Sequence, residues 1–577
     1  MNWFKSFIHR LFSTQEGILA VFVAVMLVPD LFLAYTEPYR LSTVLASLLL
    51  PGAFYLLWAL IARRPGGMML AALPFMILGA FQLVLLYLFG DSIIAVDMFL
   101  NVFTTNVSEA TELLGNIYPA IIGVCVLYIP LLVLAVRSLL LKQRLNGRFR
   151  AKAALTGCVM ALGGCVCLVA SKAANPEFGV KYHIFPANVI YNIQLTLERW
   201  KLSENYPETS KDFRFDATKR SDSAHREVYV LVIGEASRAA NWQLFGYGRP
   251  TTPDLAGTDG VVPFSDLLTQ ANATHKSVPI ILSPASAENY SDIYKQKSII
   301  SLYKEAGFKT LFISNQVPNR SLIDYFAAEA DRRIDISPRE NDLITENRYD
   351  GDALPHLREA IVSTDSNLLV VIHTYGSHFD YTKRYPASFS RFTPDAVSSV
   401  RSSRENLVNA YDNSIAYTDH VLSEIISTLD SADVCSALLY CADHGEDLMD
   451  DERDRFLHAS PIPTYYQLHI AGLGWFSDRY RESYPYRYET ARANRERPVT
   501  TASIFHTMAQ IGDIESPYID STRSLVSNSF RNLPRMYLTD HAKAVEFFNT
   551  GLKEEDFRML DKHRIEYDKE NVKKIKY

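Results

Sequence analysis

Five long apolar runs dominate the first third of the chain. Each is as long as an α-helix must be to cross the hydrocarbon core of a bilayer. A cleaved signal peptide would explain only the first run, and soluble cores rarely carry five such runs so close together. The pattern therefore predicts a domain of five transmembrane helices over residues 1–172. The runs lie at about Gly17–Tyr35, Ser42–Ile61, Met68–Phe89, Tyr118–Val136 and Ala153–Ser171.

From Arg226 onward, short buried strands alternate with helical segments. This alternation is typical of a mainly parallel sheet that is covered by helices on both faces, so residues 226–577 are predicted to form an α/β/α domain. The predicted strands are Val228–Ile233, Lys309–Ser314, Asn367–His373 and Ala437–Ala442. The predicted helices lie near Ser298–Ala306, near Leu354–Ser363 and over Ser399–Leu429.

Residues 173–225 connect the two predicted domains. Phe185–Lys201 has the periodicity of an amphipathic helix, which is predicted to lie on the membrane surface. Glu204–Ala224 is polar and charged and is interpreted as a linker. At the other end of the chain, Ala542–Tyr577 is highly charged, and its composition predicts a solvated helix.

Basic residues are unevenly distributed over the loops between the apolar runs. Lys5 and Arg10 precede the first run and six basic residues fall within 137–152, whereas Gly90–Ile117 has no lysine or arginine. The positive-inside rule then places the N-terminus in the cytoplasm and everything after Ser171 outside, which in a bacterium with two membranes is the periplasm. The net charge of −6 argues against a nucleic-acid partner.

Cysteines do not indicate a disulfide framework. Four of the six lie in predicted spans, and Cys435 and Cys441 lie at or within one predicted strand. An extended strand would hold these two about 20 Å apart, at about 3.3 Å per residue. No structural disulfide is therefore predicted.

Acidic and imidazole side chains follow two of the predicted strands directly. Glu235 ends the strand Val228–Ile233 after one glycine, and Asp443 and His444 end the strand Ala437–Ala442. Since parallel strands bring their carboxyl ends to one edge of the sheet, these groups are expected to meet. Two carboxylates and an imidazole suit zinc with an open fourth position, whereas magnesium prefers oxygen ligands alone. Thr274 is a candidate nucleophile, because zinc would stabilise the alkoxide.

Four ordered segments of the chain resemble the bacterial phosphoethanolamine transferases that modify lipid A, a membrane-anchored branch of the alkaline phosphatase and sulfatase superfamily. The resemblance covers nearly the whole chain. The segments are Ile233–Pro253, His373–Pro386, Tyr411–Asp419 and Ala442–Glu446.

This resemblance implies roles for individual residues. It makes Glu235, Thr274, Asp443 and His444 the zinc ligands, with Thr274 also the residue that becomes modified. His378 and His458 are expected to bind a second zinc, to hold the phosphate, or to protonate the departing oxygen. Substrate contacts are expected from six further residues. Those residues are Asn101, Thr105, Glu109, Asn315, Gln316 and Arg320.

The implied reaction transfers phosphoethanolamine from phosphatidylethanolamine to a lipid A phosphate through a covalent phospho-threonine. The chain departs from the family where Gln270-Ala-Asn-Ala replaces a cysteine and a glycine before the threonine, which leaves Thr269 and Ser277 as other nearby hydroxyls. The fixed spacing to Ser277-Val-Pro279 favours Thr274.

Other functions stay open at this point. A sulfatase needs an arginine after its proline, and Ser277-Val-Pro279-Ile-Ile281 lacks it. The pattern is also compatible with a phosphoglycerol transferase of the lipoteichoic acid type and with a non-catalytic membrane-tethered binding module. The acceptor could also be a core heptose phosphate, a periplasmic glucan or a protein glycan. The loop Arg479–Arg497 could hold an anionic acceptor or be solvated surface, which is the commoner outcome for such a loop. The oligomeric state is not predicted.

Overall fold

The computed structural model describes residues 11–37, 39–90, 94–104, 117–141, 143–175, 178–221, 225–337, 348–397 and 403–573. These residues divide into two compact units. The first contains residues 11–99 and 117–196, and the second contains residues 100–104 and 197–573.

The first unit is entirely helical in its described part, apart from turns. Two of its helices, α6 and α10, continue into the second unit. The helices are α1 Gln15–Met26, α2 Val28–Thr36, α3 Leu41–Ala59, α4 Gly66–Ala71, α5 Leu73–Phe89, α6 Val96–Thr104, α7 Tyr118–Leu140, α8 Gly147–Ala174, α9 Val180–His183 and α10 Ala187–Glu204. The amphipathic segment predicted at Phe185–Lys201 is thus helical as α10.

Four helical segments among the described residues are long and apolar enough to cross a membrane. They are Gln15–Thr36, Leu41–Ala59, Tyr118–Leu140 and Gly147–Ala174. The third predicted span, Met68–Phe89, is helical too, but it is divided into α4 and the 17-residue α5. The division falls where Pro74 occupies the first turn of a new helix, since proline cannot donate the hydrogen bond that would continue the preceding one. Five apolar runs therefore give four helices of spanning length.

Small residues and internal hydrogen bonds hold these helices together. A Cβ on Gly157 or Gly164 of α8 would lie 2.7 Å from Leu57 or Leu50 of α3, so a larger residue at either position would displace a leucine side chain. Gln15 accepts a 2.6 Å hydrogen bond from the Ser138 hydroxyl and donates one of 2.8 Å to the Ser138 carbonyl. Such pairing satisfies polar groups that lipid cannot hydrogen-bond.

The second unit contains all fifteen described strands and twelve further helices. The strands are β1 Thr218–Lys219, β2 Glu227–Gly234, β3 Val261–Pro263, β4 Leu267–Leu268, β5 Lys309–Ser314, β6 Arg332–Asp335, β7 Leu368–His373, β8 Cys435–Ala442, β9 Asp447–Leu448, β10 Phe456–Leu457, β11 Gly472–Phe476, β12 Val499–Thr500, β13 Ile514–Glu515, β14 Met536–Leu538 and β15 Ala544–Glu546. The helices are α11 Tyr206–Thr209, α12 Pro253–Ala256, α13 Thr274–Leu282, α14 Ile299–Glu305, α15 Leu322–Ala327, α16 Ala353–Val362, α17 Arg404–Ser431, α18 Tyr465–Leu468, α19 Asp478–Ser483, α20 Pro485–Asn494, α21 Ser503–Ile511 and α22 Glu554–Lys562.

Seven strands form the central sheet, in the order β3-β11-β8-β2-β7-β5-β6. The strands from β8 to β6 are parallel, and β11 and β3 add an antiparallel edge, so the sheet is mixed and mainly parallel. Every residue of β2, β7 and β8 is buried, as expected for strands covered on both faces. Their side chains alternate between the two layers of helices.

The segment Glu204–Ala224 was interpreted as a linker, but its described part, residues 204–221, is instead packed in the second unit. Phe215 is fully buried and contacts Phe213, Phe505 and Tyr518. The backbone is fixed as well, because β1 pairs with β13. The linker interpretation is wrong because a few aromatic residues anchor a segment whose average composition is polar.

The C-terminal segment also differs from its prediction. Only Glu554–Lys562 of the region Ala542–Tyr577 is an α-helix among the described residues, and Ala544–Glu546 is a strand paired with β14. Leu560 and Ile565 are buried. This region is therefore part of the packed domain rather than a solvated helix. All six cysteines are unpaired, in agreement with the prediction of no disulfide.

Replacing Phe215 with alanine tests whether the segment that was interpreted as a linker packs on the domain. We expect Phe215→Ala to lower the free energy of unfolding by about 3–5 kcal/mol, because a buried ring is lost and a cavity is left. Urea denaturation of the full-length protein in detergent measures this change. The matched control is Arg214→Ala, whose side chain is exposed. Equal stability of both variants would show that the segment does not pack on the domain.

Candidate active site

The candidate site lies at the carboxyl edge of the central sheet, where β2 and β8 end side by side. Gly234 of β2 pairs with Ala442 of β8, so Glu235 and Asp443 are the next residues on neighbouring strands. The Asp443 amide donates a 2.9 Å hydrogen bond to the Gly234 carbonyl. Parallel pairing in this register brings two carboxylates and the His444 imidazole to one place, and all three are buried.

Thr274 occupies the first turn of α13, which begins there because Ala273 is still extended. Its Oγ1 lies 3.2 Å from Glu235 Oε2 and 3.2 Å from His444 Nε2. The two other nearby hydroxyls are engaged elsewhere, since Thr269 and Ser277 each donate a 2.6 Å hydrogen bond to the Asp443 carbonyl. Of these three hydroxyls, Thr274 alone contacts the carboxylate and the imidazole.

The orientation of each buried group leaves one ligand atom directed into the site. Nδ1 of His444 lies 2.9 Å from the Gly445 carbonyl, which can only accept, so Nε2 keeps a lone pair when the ring is neutral. Asp443 Oδ1 accepts hydrogen bonds from the Ala236 and His444 amides. Its Oδ2 is buried without a hydrogen-bond partner, 3.3 Å from His444 Nε2. A buried, unpartnered carboxylate oxygen is the atom that a cation would satisfy.

The electrostatics of these groups agree with a cation site. Burial raises the pKa of Asp443 to about 8, and the nearby Glu235 carboxylate contributes to this shift. Burial opposes protonation of His444, but the Asp443 and Glu235 carboxylates outweigh it and raise its pKa to about 10. Two carboxylates at this depth thus require positive charge beside them, and carboxylate, hydroxyl and imidazole ligands suit zinc.

His458 lies next to Glu235 and His444, close enough to be a further metal ligand. Ligand atoms of Glu235, His444 and His458 all lie within 4.8 Å of one another, a group able to hold a metal ion. The His444 and His458 rings are 4.0 Å apart between centroids. Nδ1 of His458 lies 2.7 Å from a Glu446 carboxylate oxygen, which orients the ring and leaves Nε2 for a ligand.

Glu446 is a positioning residue that the strand-end pattern did not reveal, although it closes the motif Ala442–Glu446. It is fully buried and also accepts a 2.8 Å hydrogen bond from the Tyr381 hydroxyl. Burial raises its pKa to about 7. The Glu446 carboxylate therefore accepts hydrogen bonds from two donors, and it supports the site by orienting the His458 ring.

His378 lies beside the other histidines on the loop that follows β7. Its ring is 6.2 Å from His458 between centroids and stacks on Tyr375 at 5.2 Å. Nδ1 lies 2.6 Å from the Phe379 carbonyl, so Nε2 is the nitrogen left to face a substrate. The structure thus brings both predicted histidines to the edge where Thr274 lies.

The loop that carries His378 approaches Glu235 closely. A Cβ on Gly376, whose φ is +47°, would lie 2.7 Å from the Glu235 carbonyl oxygen. Asp350 accepts hydrogen bonds from the Tyr375 and Gly376 amides, and Asn315 donates a 2.8 Å hydrogen bond to Asp350. Asn315 therefore holds this loop in place, and its contact with substrate stays a prediction.

Gln316 also supports the site, and its contact with substrate stays a prediction. Its amide donates a 2.9 Å hydrogen bond to Glu235 Oε2 and one of 3.1 Å to the Thr374 carbonyl, so it orients a candidate metal ligand. Arg320 is exposed, on a loop whose backbone amides are held by Asp324. Thr105, Glu109 and the side chain of Asn101 lie outside the described residues.

Backbone strain next to Glu235 is supported from a third element. Ala236 has φ +52°, a conformation that non-glycine residues rarely adopt. The Tyr411 hydroxyl of α17 donates a 2.6 Å hydrogen bond to the Ala236 carbonyl and accepts one of 3.0 Å from the Arg238 amide. Tyr411 begins one of the four family-like segments, which was the only signal for it in the sequence.

The domain that carries this site is similar to known proteins. Residues 227–514 match the model of the Sulfatase family. The chain is 26% identical over 317 residues to phosphoethanolamine transferase EptC of Escherichia coli O18:K1:H7, an alignment that covers 53% of this chain and 54% of that protein. It is 28% identical over 283 residues to the Kdo(2)-lipid A phosphoethanolamine 7''-transferase of E. coli K12, covering 48% of each. The chain thus spans about half the length of the curated relatives it matches.

Two solved structures share the fold. The integral membrane lipooligosaccharide phosphoethanolamine transferase A (EptA) of Neisseria meningitidis matches with a TM-score of 0.69 at 22% identity, over 88% of this chain and 98% of that one. The periplasmic domain of E. coli EptC, solved in complex with Zn, matches with a TM-score of 0.52 at 24% identity, over 57% of this chain and 95% of that one. Residues 227–514 therefore form a sulfatase-family domain, and the curated relatives that the chain matches include several named phosphoethanolamine transferases.

Proposed function

We propose that the protein is a zinc-dependent transferase that moves phosphoethanolamine from phosphatidylethanolamine to a phosphate of lipid A. One observation carries this proposal. The Thr274 hydroxyl lies 3.2 Å from both Glu235 and His444, at the start of a helix whose free amides and dipole favour negative charge. The names of the relatives support the reaction and the acceptor.

Glu235, Thr274, Asp443 and His444 would hold the zinc ion, and the geometry adds His458 as a further candidate ligand. When bound, zinc would lower the pKa of the threonine hydroxyl and offset the charge of the phosphoryl group. The buried, unpartnered Asp443 Oδ2 and the outward Nε2 of His444 fit this ion. A second zinc near His378 and His458 stays a prediction.

The first half of the proposed reaction forms a covalent phospho-threonine. The Thr274 hydroxyl donates to Glu235, so its proton leaves along that hydrogen bond as Oγ1 bonds to phosphorus. The bond between phosphorus and the glycerol oxygen breaks, and diacylglycerol leaves with a proton on that oxygen. The imidazolium form of His378 is the proposed source of this proton, because its Nδ1–H is held by the Phe379 carbonyl and its Nε2–H is left to donate.

The second half restores the enzyme. An oxygen of the acceptor phosphate bonds to phosphorus, and the bond from phosphorus to Thr274 Oγ1 breaks. The threonine oxygen takes back the proton that it gave along the hydrogen bond to Glu235, and the proton of the acceptor's reacting phosphate oxygen returns to His378. Phosphoryl transfer depends mainly on positioning and charge stabilisation. In this chain Gln316 orients Glu235, Glu446 orients His458, and the Asn315–Asp350 pair holds the loop of His378.

The loop Arg479–Arg497 is not favoured as the acceptor site. Among the described residues, five of its arginines already contact carboxylates. These pairs are Arg479–Asp433, Arg481–Asp259, Arg487–Asp513, Arg492–Glu489 and Arg495–Glu496. The acceptor would gain little from groups that are neutralised in this way.

We also propose the location given by the loop charges. The helices of spanning length would lie in the bacterial inner membrane, with the N-terminus in the cytoplasm and the second unit in the periplasm. Phosphatidylethanolamine in the outer leaflet would then be the nearby donor. The membrane-surface position of α10 belongs to the same proposal.

Replacing Thr274 tests the nucleophile. We expect Thr274→Ala to abolish the phosphoethanolamine adduct and the transfer reaction, because no other described hydroxyl contacts Glu235 and His444. Thr274→Ser keeps the hydroxyl and should still form the adduct. Intact-protein mass spectrometry after incubation with phosphatidylethanolamine gives the readout. An adduct of the same mass on Thr274→Ala would move the assignment to Thr269 or Ser277.

Replacing Gln316 tests its support of the metal ligand Glu235. We expect Gln316→Met to weaken zinc binding by about 10–100-fold, the usual effect of removing a hydrogen bond to a ligand. Competition with a chromophoric chelator measures this affinity in the purified protein. Gln510→Met is the matched control, because Gln510 lies on α21 and is not among the site residues. Unchanged affinity in Gln316→Met would contradict the proposed role.

A further inference from the structure

His458 lies in a turn, residues 457–460, whose backbone has positive φ on both sides of the histidine. Leu457 has φ +69° and Ala459 has φ +60°. Residues other than glycine rarely adopt this conformation, and it persists only where surrounding contacts enforce it. β10 ends at Leu457, so its pairing with β9 fixes the chain only up to that residue. The other side of the turn, at Ala459 and Ser460, needs contacts from another part of the chain.

Asn272, which lies two residues before Thr274, makes these contacts. Its backbone carbonyl accepts a 3.0 Å hydrogen bond from the Ala459 amide, and its Nδ2 donates one of 2.8 Å to the Ser460 carbonyl. The backbone and the side chain of one residue thus hold two consecutive residues of the turn. The segment that leads into the nucleophile is therefore joined at Asn272 to the turn that carries His458.

The side-chain amide of Asn272 has a partner for each of its polar atoms. Nδ2 also donates a 2.6 Å hydrogen bond to Gln467 Oε1, and the Tyr537 hydroxyl donates one of 2.7 Å to Oδ1. The Ser460 carbonyl sets the orientation of the amide, because a carbonyl oxygen can only accept. Asn272 is 4% exposed, so a lost hydrogen bond would leave a buried polar group without water to replace the partner.

The partners of this amide are themselves held in place. Gln467 is fully buried, and its Nε2 donates a 2.6 Å hydrogen bond to Asp447 Oδ2. Tyr537 lies on β14, where the next residue, Leu538, donates a 2.7 Å hydrogen bond from its amide to the Gln270 carbonyl. A buried network whose hydrogen bonds are satisfied is rigid, and the loss of one member leaves several groups unpaired.

We propose that Asn272 is a positioning residue, which sets the distance between the Thr274 hydroxyl and the His458 imidazole. The inference rests on the proposed function, in which Thr274 is the nucleophile and His458 is a candidate metal ligand. Glu446 orients the ring of His458, whereas Asn272 fixes its backbone relative to the nucleophile. Misplacing a group at a reaction centre by about 1 Å can cost about 100-fold in rate.

The resemblance assigned Asn272 no role. The residue belongs to Gln270-Ala-Asn-Ala, the segment in which the chain departs from the family that it resembles. Only contacts with residues about 190 positions further along the chain, such as those with Ser460 and Gln467, reveal the connection.

Replacing Asn272 with aspartate tests this role with almost no change in shape. The new carboxylate oxygen would face the Ser460 carbonyl and Gln467 Oε1, neither of which can donate a hydrogen bond. Rotating the Gln467 amide would not relieve this contact, because its Oε1 would then face the Asp447 carboxylate. We therefore expect the turn at residues 457–460 to move away from Asn272→Asp.

Adduct formation by the full-length protein in detergent gives the kinetic readout. The protein is incubated with a range of phosphatidylethanolamine concentrations, and the adduct on Thr274 is followed by intact-protein mass spectrometry. We expect Asn272→Asp to lower the rate at saturation by about 10–100-fold, with little change in the half-saturating concentration. Asn528→Asp is the matched control, since Asn528 is exposed and accepts from Thr490 a hydrogen bond that aspartate also accepts. A wild-type rate in Asn272→Asp would overturn the inference, while the adduct itself would still support the proposed function.

A double-mutant cycle distinguishes the positioning of His458 from a general loss of structure. His458→Ala removes the ring through which Asn272 is proposed to act. Adding Asn272→Asp to His458→Ala should therefore lower the rate further by less than about threefold. If the second substitution instead costs as much as it does in the wild type, Asn272 does not act through His458 and the inference is overturned.

Amide hydrogen exchange tests the connection without catalysis, and it decides where the wild type or His458→Ala forms too little adduct to measure. We expect the peptide covering residues 456–461 to exchange about fivefold faster or more in Asn272→Asp than in Asn528→Asp, with the rest of the second unit unchanged. Unchanged exchange in this peptide, or faster exchange throughout the second unit, would overturn the inference. Absence of an adduct on the wild type counts against the proposed function alone.

Discussion

The parallel pairing of β2 with β8 is the constraint on which the candidate site depends. The pairing of Gly234 with Ala442 makes Glu235 and Asp443 neighbours, in a place where every nearby strand residue is buried. A shift of the register by one residue would turn one carboxylate to the opposite face of the sheet. The hydrophobic strands thus fix the ligands, and the buried negative charge of these ligands then requires a cation.

Several nearby residues hold the backbone around Glu235 in a conformation with positive φ angles. Ala236 and Gly376 both have positive φ, and the two backbones approach each other around Glu235. The Tyr411 hydroxyl donates a hydrogen bond to the Ala236 carbonyl, and the Asp350 carboxylate accepts one from the Gly376 amide. Strain of this kind persists only where surrounding contacts enforce it, and it occurs mostly at functional sites. The rigidity of the edge therefore comes from α17 and from the turn at Asp350 as much as from the sheet.

Strand ends could be predicted from the sequence, but the residues that support them could not. Glu235, Asp443 and His444 follow continuous apolar runs, so periodicity alone places them at one edge. Asn315 and Gln316 were predicted only to contact substrate, and the structure adds that they donate hydrogen bonds to Asp350 and Glu235. No local pattern distinguishes an amide that binds substrate from one that orients a carboxylate, because the difference depends on contacts with residues far apart in the chain.

The same limit explains the errors in the fold. The segment Glu204–Ala224 has a polar average, yet Phe215 is buried in the main core, and the burial of single aromatic residues does not appear in composition. Met68–Phe89 has a continuous apolar pattern, yet Pro74 begins a new helix within it. Hydropathy measures how apolar a segment is, while the local backbone chemistry of one residue decides where a helix ends.

The buried negative charge around Thr274 must be offset before a phosphodiester can approach it. Glu235, Asp443 and Glu446 are buried close together, and a phosphodiester brought to Thr274 would be repelled by them in the absence of positive charge. A cation at the group formed by Glu235, His444 and His458 would offset this charge on one side of the nucleophile. An anionic lipid would then meet a favourable field, although the carboxylates that hold the ion remain buried beneath it.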